Sequence, residues 1–173
     1  MNRRAEDIRS SLEQLVGYLA AHPGECRRAD KAATAAIERG LRCRTHGPDG
    51  AILLTDMPRA LGGDASAPTP GWFLRAALAS CDATVIAMRA AQLGVSLTEL
   101  EVTVDSESDA RGLLGVDDSI CAGALSVRTR VRIGAEAVAP ERLREIVRWA
   151  EAHSPVGDAV RRAIPAATEI EIA

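Results

Sequence analysis

The sequence predicts an α+β fold in which antiparallel strands surround one long, apolar helix. The strand-like segments come in two groups, one before and one after this helix, and strands that follow one another in the chain favour antiparallel pairing. The segment 70–93 is apolar on most sides, which is typical of a central, buried helix. The chain has no glycine-rich phosphate-binding motif and no internal repeat, so a doubly wound nucleotide-binding sheet is not expected.

The segment before this helix is predicted to form another helix and then three short strands. Apolar residues recur at helical spacing over 5–21, and the helix is expected to end at the breaker sequence His-Pro-Gly of residues 22–24. The strands are predicted over 32–38, 41–46 and 51–55. The turn Gly-Pro-Asp-Gly joins the last two strands, and a loop rich in Gly, Ala and Pro follows from 57 to 69.

The central helix and two further strands have clear local signals. Thr69 and Pro70 supply a helix N-cap and a first-turn proline, and Gly94 supplies a natural C-terminal cap. Apolar and charged residues alternate over 100–105 and over 127–133, which is typical of half-buried strands. A long connection over 109–123 separates the two strands.

A row of arginines, Arg128, Arg130 and Arg132, occupies one face of the second of these strands. The first strand places Glu101 and Asp105 on one of its faces, so antiparallel pairing sets acidic residues opposite basic ones. A site for nucleic acid or another anion is the alternative, and cross-strand ion pairing is the favoured interpretation.

The last segment is predicted to form two helices and a strand. Residues 140–153 have one apolar face, and Ser154 with Pro155 then forms a second N-cap and first-turn proline. A short helix over 156–163 is expected to end at Pro165, and residues 167–172 are predicted to form a terminal strand.

Composition excludes several classes of protein. The 173 residues are 47% hydrophobic and 26% charged, which fits one globular domain and argues against disorder. The net charge is −3 and only 2% of the residues are aromatic, which argues against a nucleic-acid partner. Charged residues interrupt the apolar segment and no secretory signal is visible, so no membrane partner and a cytoplasmic location are expected.

Four cysteines, Cys26, Cys43, Cys81 and Cys121, are widely spaced without a CxxC pair, so neither a metal site nor a cofactor is expected. Cys81 lies on an apolar stripe of the central helix, where a buried core cysteine is the simplest interpretation. A reactive thiol needs a positive neighbour that favours the thiolate. Because Cys81 is far from the N-terminus of its helix, the helix dipole cannot supply that charge, and a guanidinium from elsewhere must do so.

The chain resembles the OsmC/Ohr family of osmotically inducible and organic hydroperoxide resistance proteins. The residues that carry the resemblance are Leu61-Gly62-Gly63, the run from Pro70 to Cys81, Gly94 with the strand at 100–102, the loop at 109–115 and His153-Ser154-Pro155-Val156. The resemblance covers about 34–172, so residues 31–173 are expected to form an OsmC-like domain and residues 1–30 an N-terminal helical extension. It implies an intertwined homodimer with central helices wrapped by antiparallel sheets.

The resemblance also implies a chemistry: reduction of organic hydroperoxides by a thiolate, through a sulfenic acid and then a disulfide. Cys81 matches the peroxidatic cysteine of the family, and Arg39 is the nearest match to the arginine that activates it, with Arg42 and Arg44 as rivals. Arg111, in the patterned loop, is a further candidate partner of the thiol.

Two positions depart from the family pattern. Ser154 stands where the family has its resolving cysteine, and it cannot form a disulfide although it is a good N-cap. Gly71 replaces a glutamate and cannot orient an arginine. Cys43, Cys121 or an external dithiol would therefore have to resolve the sulfenic acid. The pair His153 and Ser154 also suggests a Ser/His site, but adjacent residues rarely face each other.

Two functions follow as hypotheses. The first is a Cys81-dependent hydroperoxide reductase that an external dithiol recharges. The second is a non-catalytic dimer that binds a small apolar ligand, since Gly71 and Ser154 replace the chemical groups and Trp72 lies beside the expected pocket. Arg39, or failing it Arg111, is expected to approach Cys81.

Overall fold

The computed structural model of the chain describes residues 3–172, which contain five α-helices and five β-strands. The helices are α1 (Arg3–Ala21), α2 (Pro70–Gln92), α3 (Ala110–Leu113), α4 (Pro140–His153) and α5 (Pro155–Arg161). The strands are β1 (Thr34–Arg39), β2 (Arg42–His46), β3 (Ile52–Thr55), β4 (Leu97–Ser108) and β5 (Ala124–Ala135). The predicted α+β class is confirmed, with antiparallel pairing throughout the described strands.

The chain divides into two compact units. One unit comprises Ser11–Ala76 and contains β1, β2 and β3. The other comprises the residues up to Ser10 together with those from Ala77 onward, and contains the C-terminal part of α2, both later strands and α3 to α5. The boundary falls inside α1 and inside α2.

The Ser11–Ala76 unit is built on a three-stranded antiparallel sheet in the order β1-β2-β3. Gly40, with φ of 56°, makes the tight turn between the first two strands, because glycine adopts a left-handed conformation without steric cost. After β3 the buried carboxylate of Asp56 accepts hydrogen bonds from Met57 N, Ser66 N and Ser66 Oγ. This carboxylate organises the loop that leads to α2.

The second unit contains a two-stranded antiparallel ribbon, β4 and β5. Its register places Asp105 opposite Arg128, and Asp105 forms ion pairs with both Arg128 and Arg130. Arg132 pairs diagonally with Glu99, at 2.8 Å. The ion pairs predicted from the alternating pattern are therefore confirmed.

The core of this unit lies between α2, α4 and the ribbon. Ile86 and Ala90 of α2 pack with Ile146 and Ala150 of α4, and all four residues are at most 1% exposed. Apolar residues of β4 and β5 cover the cluster, as expected for strands with one buried face. The predicted limits of α4, and the Gly94 cap of α2 with φ of 68°, are confirmed.

Only one stripe of α2 is buried: Leu78, Asp82, Ile86, Ala90 and Ala91. By length and composition this helix could cross a membrane, although the charged residues within it predict no membrane span. Length and composition are weak evidence, because the core helix of a globular protein meets the same criterion. Here α2 contributes to the core cluster and carries a buried aspartate, so the feature does not indicate a membrane protein.

The prediction of a terminal strand over 167–172 is wrong for this chain. These residues have no regular secondary structure, and Ile170 and Ile172 are 81% and 94% exposed. An alternating sequence forms a strand only where a neighbouring strand accepts and donates its backbone hydrogen bonds. Among the described residues no strand pairs with this segment.

Candidate functional site

Cys81 lies near the middle of α2, where the helix is anchored at both ends. Thr69 accepts a hydrogen bond from Trp72 N through Oγ1 and so caps the N-terminus, while Gly94 ends the last turn in a left-handed conformation. The thiol is free and half-buried. The sulfur is therefore held by a rigid element, and part of it is accessible.

The Cys81 side chain lines a cleft of about 560 Å³. One wall comes from α2 and the other from the end of α4 and the start of α5. Most of the lining is apolar, including Val85, Met88, Trp149 and Val156. A cleft of this size and lining is suited to a small, largely apolar ligand.

Ser154 connects the two walls at the sulfur. Its side chain is fully buried, and its Oγ accepts a hydrogen bond from Gly157 N at 3.1 Å as the N-cap of α5. The same hydroxyl donates to Cys81 Sγ at 3.4 Å, although the two residues are 73 positions apart. The predicted capping role is confirmed, and the hydroxyl also places a hydrogen-bond donor against the thiol.

The end of α4 adds two aromatic groups to the cleft. The rings of Trp149 and His153 stack, with centroids 3.9 Å apart and planes within 10°. His153 Nδ1 lies 2.7 Å from Trp149 O, and the Arg89 guanidinium carbon lies 4.4 Å from the centre of the Trp149 ring. Both aromatic residues line the cleft.

Sequence reasoning missed Trp149 and set aside His153. The signal present in the sequence is their spacing of four residues at the end of a helix, directly before Ser154, which places both side chains on one face. The structure places His153 in the lining of the cleft, whereas Ser154 is fully buried beside Cys81. The Ser154 hydroxyl bonds to Gly157 N and Cys81 Sγ, and within residues 3–172 it makes no hydrogen bond with His153.

Arg39 belongs to the Ser11–Ala76 unit, where its guanidinium donates to Asp64 Oδ2 at 3.0 Å. The side chains of both partners are largely exposed. Its rivals Arg42 and Arg44 both bind Glu38, and these hydrogen bonds and charges lower the pKa of the Glu38 carboxyl. Activation of Cys81 by Arg39 stays a prediction.

Arg111 is held by a neighbour within its own loop. Asp109 caps α3 by accepting from Arg111 N, and its carboxylate also binds the guanidinium, with Nη2 2.6 Å from Oδ2. This pairing lowers the pKa of Asp109 and raises that of Arg111. The residues that line the cleft do not include Arg111.

Gly71 and Trp72 lie in the first turn of α2. A Cβ atom at Gly71 would meet nothing closer than 3.9 Å, the distance to Arg75 Nη1 and to Thr69 Oγ1, so a larger residue fits there. Trp72 is 46% exposed and packs edge-to-face with Phe73. Both positions belong to the Ser11–Ala76 unit, and their roles at the thiol stay predictions.

The remaining cysteines are also free. Cys43 is half-buried, while Cys26 and Cys121 are exposed. Within residues 3–172 no three side chains of His, Cys, Asp or Glu lie together in a way that could hold a metal ion. The groups that the structure brings together at the cleft are the Cys81 thiol with the Ser154 hydroxyl against it, and the His153 imidazole in the lining.

Comparison with known proteins identifies solved structures with a similar fold. Similar solved structures include an organic hydroperoxide resistance protein OsmC from Legionella pneumophila, with 20% identity, a TM-score of 0.58 and coverage of 78% of this chain and 91% of that chain. An OsmC-like protein from Mycoplasma pneumoniae has 14% identity and a TM-score of 0.65, covering 78% and 89%. An organic hydroperoxide resistance protein from Elizabethkingia anophelis has 16% identity and a TM-score of 0.58, covering 79% and 91%.

These identities are all low, so the solved structures show a shared fold. No curated protein matches the chain. The model of one family, described as OsmC-like protein, matches residues 63–169. Since that match covers more than half of the chain, and the fold agrees with it, the chain belongs to the OsmC-like protein family.

Proposed function

We propose that this protein reduces organic hydroperoxides with the thiol of Cys81. The observation that carries the proposal is the position of the sulfur, which lines an apolar cleft of about 560 Å³ and accepts a hydrogen bond from the buried Ser154 hydroxyl. The descriptions of two structural neighbours as organic hydroperoxide resistance proteins support the same chemistry.

The reaction consists of one displacement at oxygen. The Cys81 thiolate attacks the terminal oxygen of the hydroperoxide, an S–O bond forms, and the O–O bond breaks with its electron pair leaving on the alkoxide. The alkoxide takes up a proton and leaves as the alcohol, so the hydroperoxide is reduced while the thiol is oxidised to a sulfenic acid. The Ser154 hydroxyl stabilises the thiolate before the attack.

An external dithiol completes the cycle, because Ser154 cannot form a disulfide. One thiol of the reductant condenses with the sulfenic acid, which releases water and leaves a mixed disulfide on Cys81. The second thiol of the reductant then attacks this disulfide, is oxidised with its partner to the cyclic disulfide, and returns Cys81 as a thiol. A cytoplasmic location is part of this proposal, because dithiol reductants are abundant in the cytoplasm.

Arg39 is the proposed source of positive charge near the thiol, with Arg111 as the alternative. With Gly71 in place of a carboxylate, no side chain at that position orients the guanidinium, so we expect slower turnover than in family members that keep the glutamate. A homodimer is part of the same proposal, because large apolar side chains such as Leu74 and Trp72 of α2 are exposed in the single chain.

A second candidate function is binding of a small apolar ligand without turnover. The observation that favours it is the lining of the cleft, whose described residues include no Arg, Lys, Asp or Glu. A ligand that raises the Tm equally in the parent and in Cys81→Ser would favour this alternative.

The deciding experiment measures consumption of cumene hydroperoxide in the presence of dithiothreitol. We expect the parent and Cys43→Ser, which also removes a half-buried thiol, to consume the peroxide at equal rates, and Cys81→Ser to have lost at least nine-tenths of that rate. Equal consumption by Cys81→Ser and the parent would contradict the proposal.

A further inference from the structure

His153 combines a fixed hydrogen bond on one ring nitrogen with an uncommitted second nitrogen. Nδ1 lies 2.7 Å from the carbonyl oxygen of Trp149. A carbonyl only accepts, so Nδ1 carries the proton, and in the neutral ring Nε2 carries the lone pair. Among the described residues Nε2 has no hydrogen-bond partner.

The chain contains the same arrangement a second time. At the end of α1, His22 Nδ1 lies 2.9 Å from Tyr18 O, four residues earlier, and the two rings stack with centroids 4.3 Å apart. In both places the imidazole satisfies a carbonyl at a helix C-terminus, which is a sufficient structural role. His22 therefore shows what this motif does when only the helix end is concerned.

The surroundings of His153 differ from those of His22. His153 lines the cleft into which the Cys81 side chain opens, whereas the lining does not include His22. The residue directly after His153 is Ser154, whose hydroxyl contacts Cys81 Sγ. His153 is therefore the chain neighbour of a residue whose side chain contacts the sulfur, and it lines the same cleft as Cys81.

We propose that His153 Nε2 is the proton-transfer group of the Cys81 reaction, an inference that rests on the proposed function. Nε2 takes the proton from the Cys81 thiol, and the thiolate then attacks the hydroperoxide. The imidazolium returns this proton to the alkoxide that leaves when the O–O bond breaks. The net change is thiol and hydroperoxide to sulfenic acid and alcohol, with the imidazole neutral again.

Charged side chains of α2 and α5 contact the C-terminal part of α4, which carries His153. Among the described residues that line the cleft, Cys81 and His153 are the only titratable ones. From α2, Arg89 packs against the Trp149 ring, and from α5, Arg161 donates to Glu151 O at 2.6 Å. Asp158 of α5 is paired with Arg162.

One variant separates the roles of the two ring nitrogens of His153, and a second variant is its control. His153→Asn keeps an N–H donor near the position of Nδ1, so it preserves the hydrogen bond to Trp149 O and removes the base. His22→Asn is the matched control, because it makes the same change in the same motif outside the cleft. We expect both variants to unfold at the Tm of the parent.

The first measurement follows alkylation of Cys81 by iodoacetamide as a function of pH, with Cys81 identified by peptide mass spectrometry. We expect His153→Asn to react at least fivefold more slowly than the parent near pH 7 and equally fast near pH 10, where hydroxide removes the proton. His22→Asn should follow the parent at every pH. A His153→Asn profile that superimposes on that of the parent would overturn the first proton transfer.

The second measurement compares two oxidants of different leaving group. Cumene hydroperoxide releases an alkoxide that needs a proton, whereas peracetic acid releases acetate, which does not. The rate of Cys81 oxidation by each oxidant is divided by the iodoacetamide rate of the same variant at the same pH. After this normalisation, we expect the rate of His153→Asn to be about 10²-fold below that of the parent with the hydroperoxide and little changed with the peracid. Equal losses with both oxidants would overturn the second proton transfer.

The two measurements distinguish a failure of this inference from a failure of the proposed function. If the parent consumes no hydroperoxide, the proposed function and the transfer to the alkoxide both fail, while the alkylation profiles still decide whether His153 deprotonates Cys81. If the parent is active and His153→Asn matches it in both assays, the proposed function stands and the role of His153 is overturned.

Discussion

Ser154 both stabilises a helix and contacts the candidate reactive thiol. Its hydroxyl caps α5 by accepting from Gly157 N and donates to the sulfur of Cys81. Replacing it with alanine removes the cap, which costs about 0.5–2 kcal/mol for residues of this type. The serine therefore has a structural reason to stand at the position where the family resemblance implies a second cysteine.

Ser154→Cys is predicted to restore an intramolecular disulfide. The Ser154 Oγ already lies 3.4 Å from Cys81 Sγ, so a sulfur at that position needs only a small movement to reach bonding distance. On treatment of this variant with one equivalent of cumene hydroperoxide, we expect the peptide that contains Cys81 to become linked to the peptide that contains the substituted position, with loss of the two thiols. Peptide mass spectrometry without reduction measures this directly.

Ser80→Cys provides the control for that experiment. Ser80 lines the same cleft, but its hydroxyl donates to Ala77 O, and adjacent residues of a helix diverge by about 100°. It should form no link to Cys81. Linkage in the Ser80 variant but not in the Ser154 variant would contradict the geometry described for the site.

At the scale of elements, the loop between β3 and α2 depends on one buried carboxylate. Asp56 is 1% exposed, and the two donors of Ser66 together with Met57 N lower its pKa from 3.8 to about 2. Gly63 packs so closely against this segment that a Cβ atom there would lie 2.0 Å from Met57 O and 2.9 Å from Asp56 Oδ1. The Asp56 carboxylate and the missing Cβ of Gly63 therefore both favour the observed conformation of the loop.

The Asp56 carboxylate predicts a pH dependence of stability. Because its pKa is lower in the folded chain than in the unfolded chain, the stabilisation is complete above about pH 4 and is lost as the pH falls towards 2. Asp56→Asn should lower the Tm at pH 7, and the difference from the parent should shrink between pH 4 and pH 2. Thermal unfolding followed by circular dichroism across this range measures the effect.

Asp49→Asn is the matched control in the same unit. Asp49 pairs with Lys31 at 3.3 Å, and its side chain is 86% exposed, so the pair contributes little to stability. Its Tm should follow that of the parent at every pH. A Tm difference for Asp56→Asn that is constant from pH 7 to pH 2 would contradict the role assigned to the charge.

At the scale of the whole molecule, apolar side chains remain exposed on several elements. Leu15 and Val16 of α1, Leu74 of α2 and Leu125 of β5 are each about half exposed or more. Monomeric proteins rarely expose contiguous apolar patches larger than a few hundred Å². The proposed homodimer would cover such surface.

We therefore expect the protein to be a dimer whose dissociation is coupled to unfolding. Light scattering at low micromolar concentration should give twice the chain mass of 18.2 kDa, and the Tm should rise with protein concentration. Leu74→Asp should shift the mass towards that of the monomer. A monomeric parent with a full helical circular dichroism signal would contradict the prediction.

The sequence by itself determined the class of the fold and the limits of α2 and α4, whereas β4 and β5 extend two or three residues beyond each predicted end. The signals for α2 are Thr69, Pro70 and Gly94, which act on backbone groups within a few residues, so they are effective in any tertiary context. The ion pairs of Asp105 with Arg128 and Arg130 follow similarly from the alternating pattern of two strands. The family resemblance, which is carried by an ordered set of local motifs, likewise singled out Cys81 as the candidate thiol.

Only the tertiary structure decided which groups surround the thiol. The contact between Cys81 and Ser154 joins residues 73 positions apart, and the stacked rings of Trp149 and His153 line the cleft opposite residues of α2 that are more than fifty positions away in the chain. The terminal segment 167–172 also depends on distant residues, because its alternating pattern is not sufficient to form a strand without a partner strand. Such outcomes depend on packing between distant parts of the chain, which no local pattern of residues encodes.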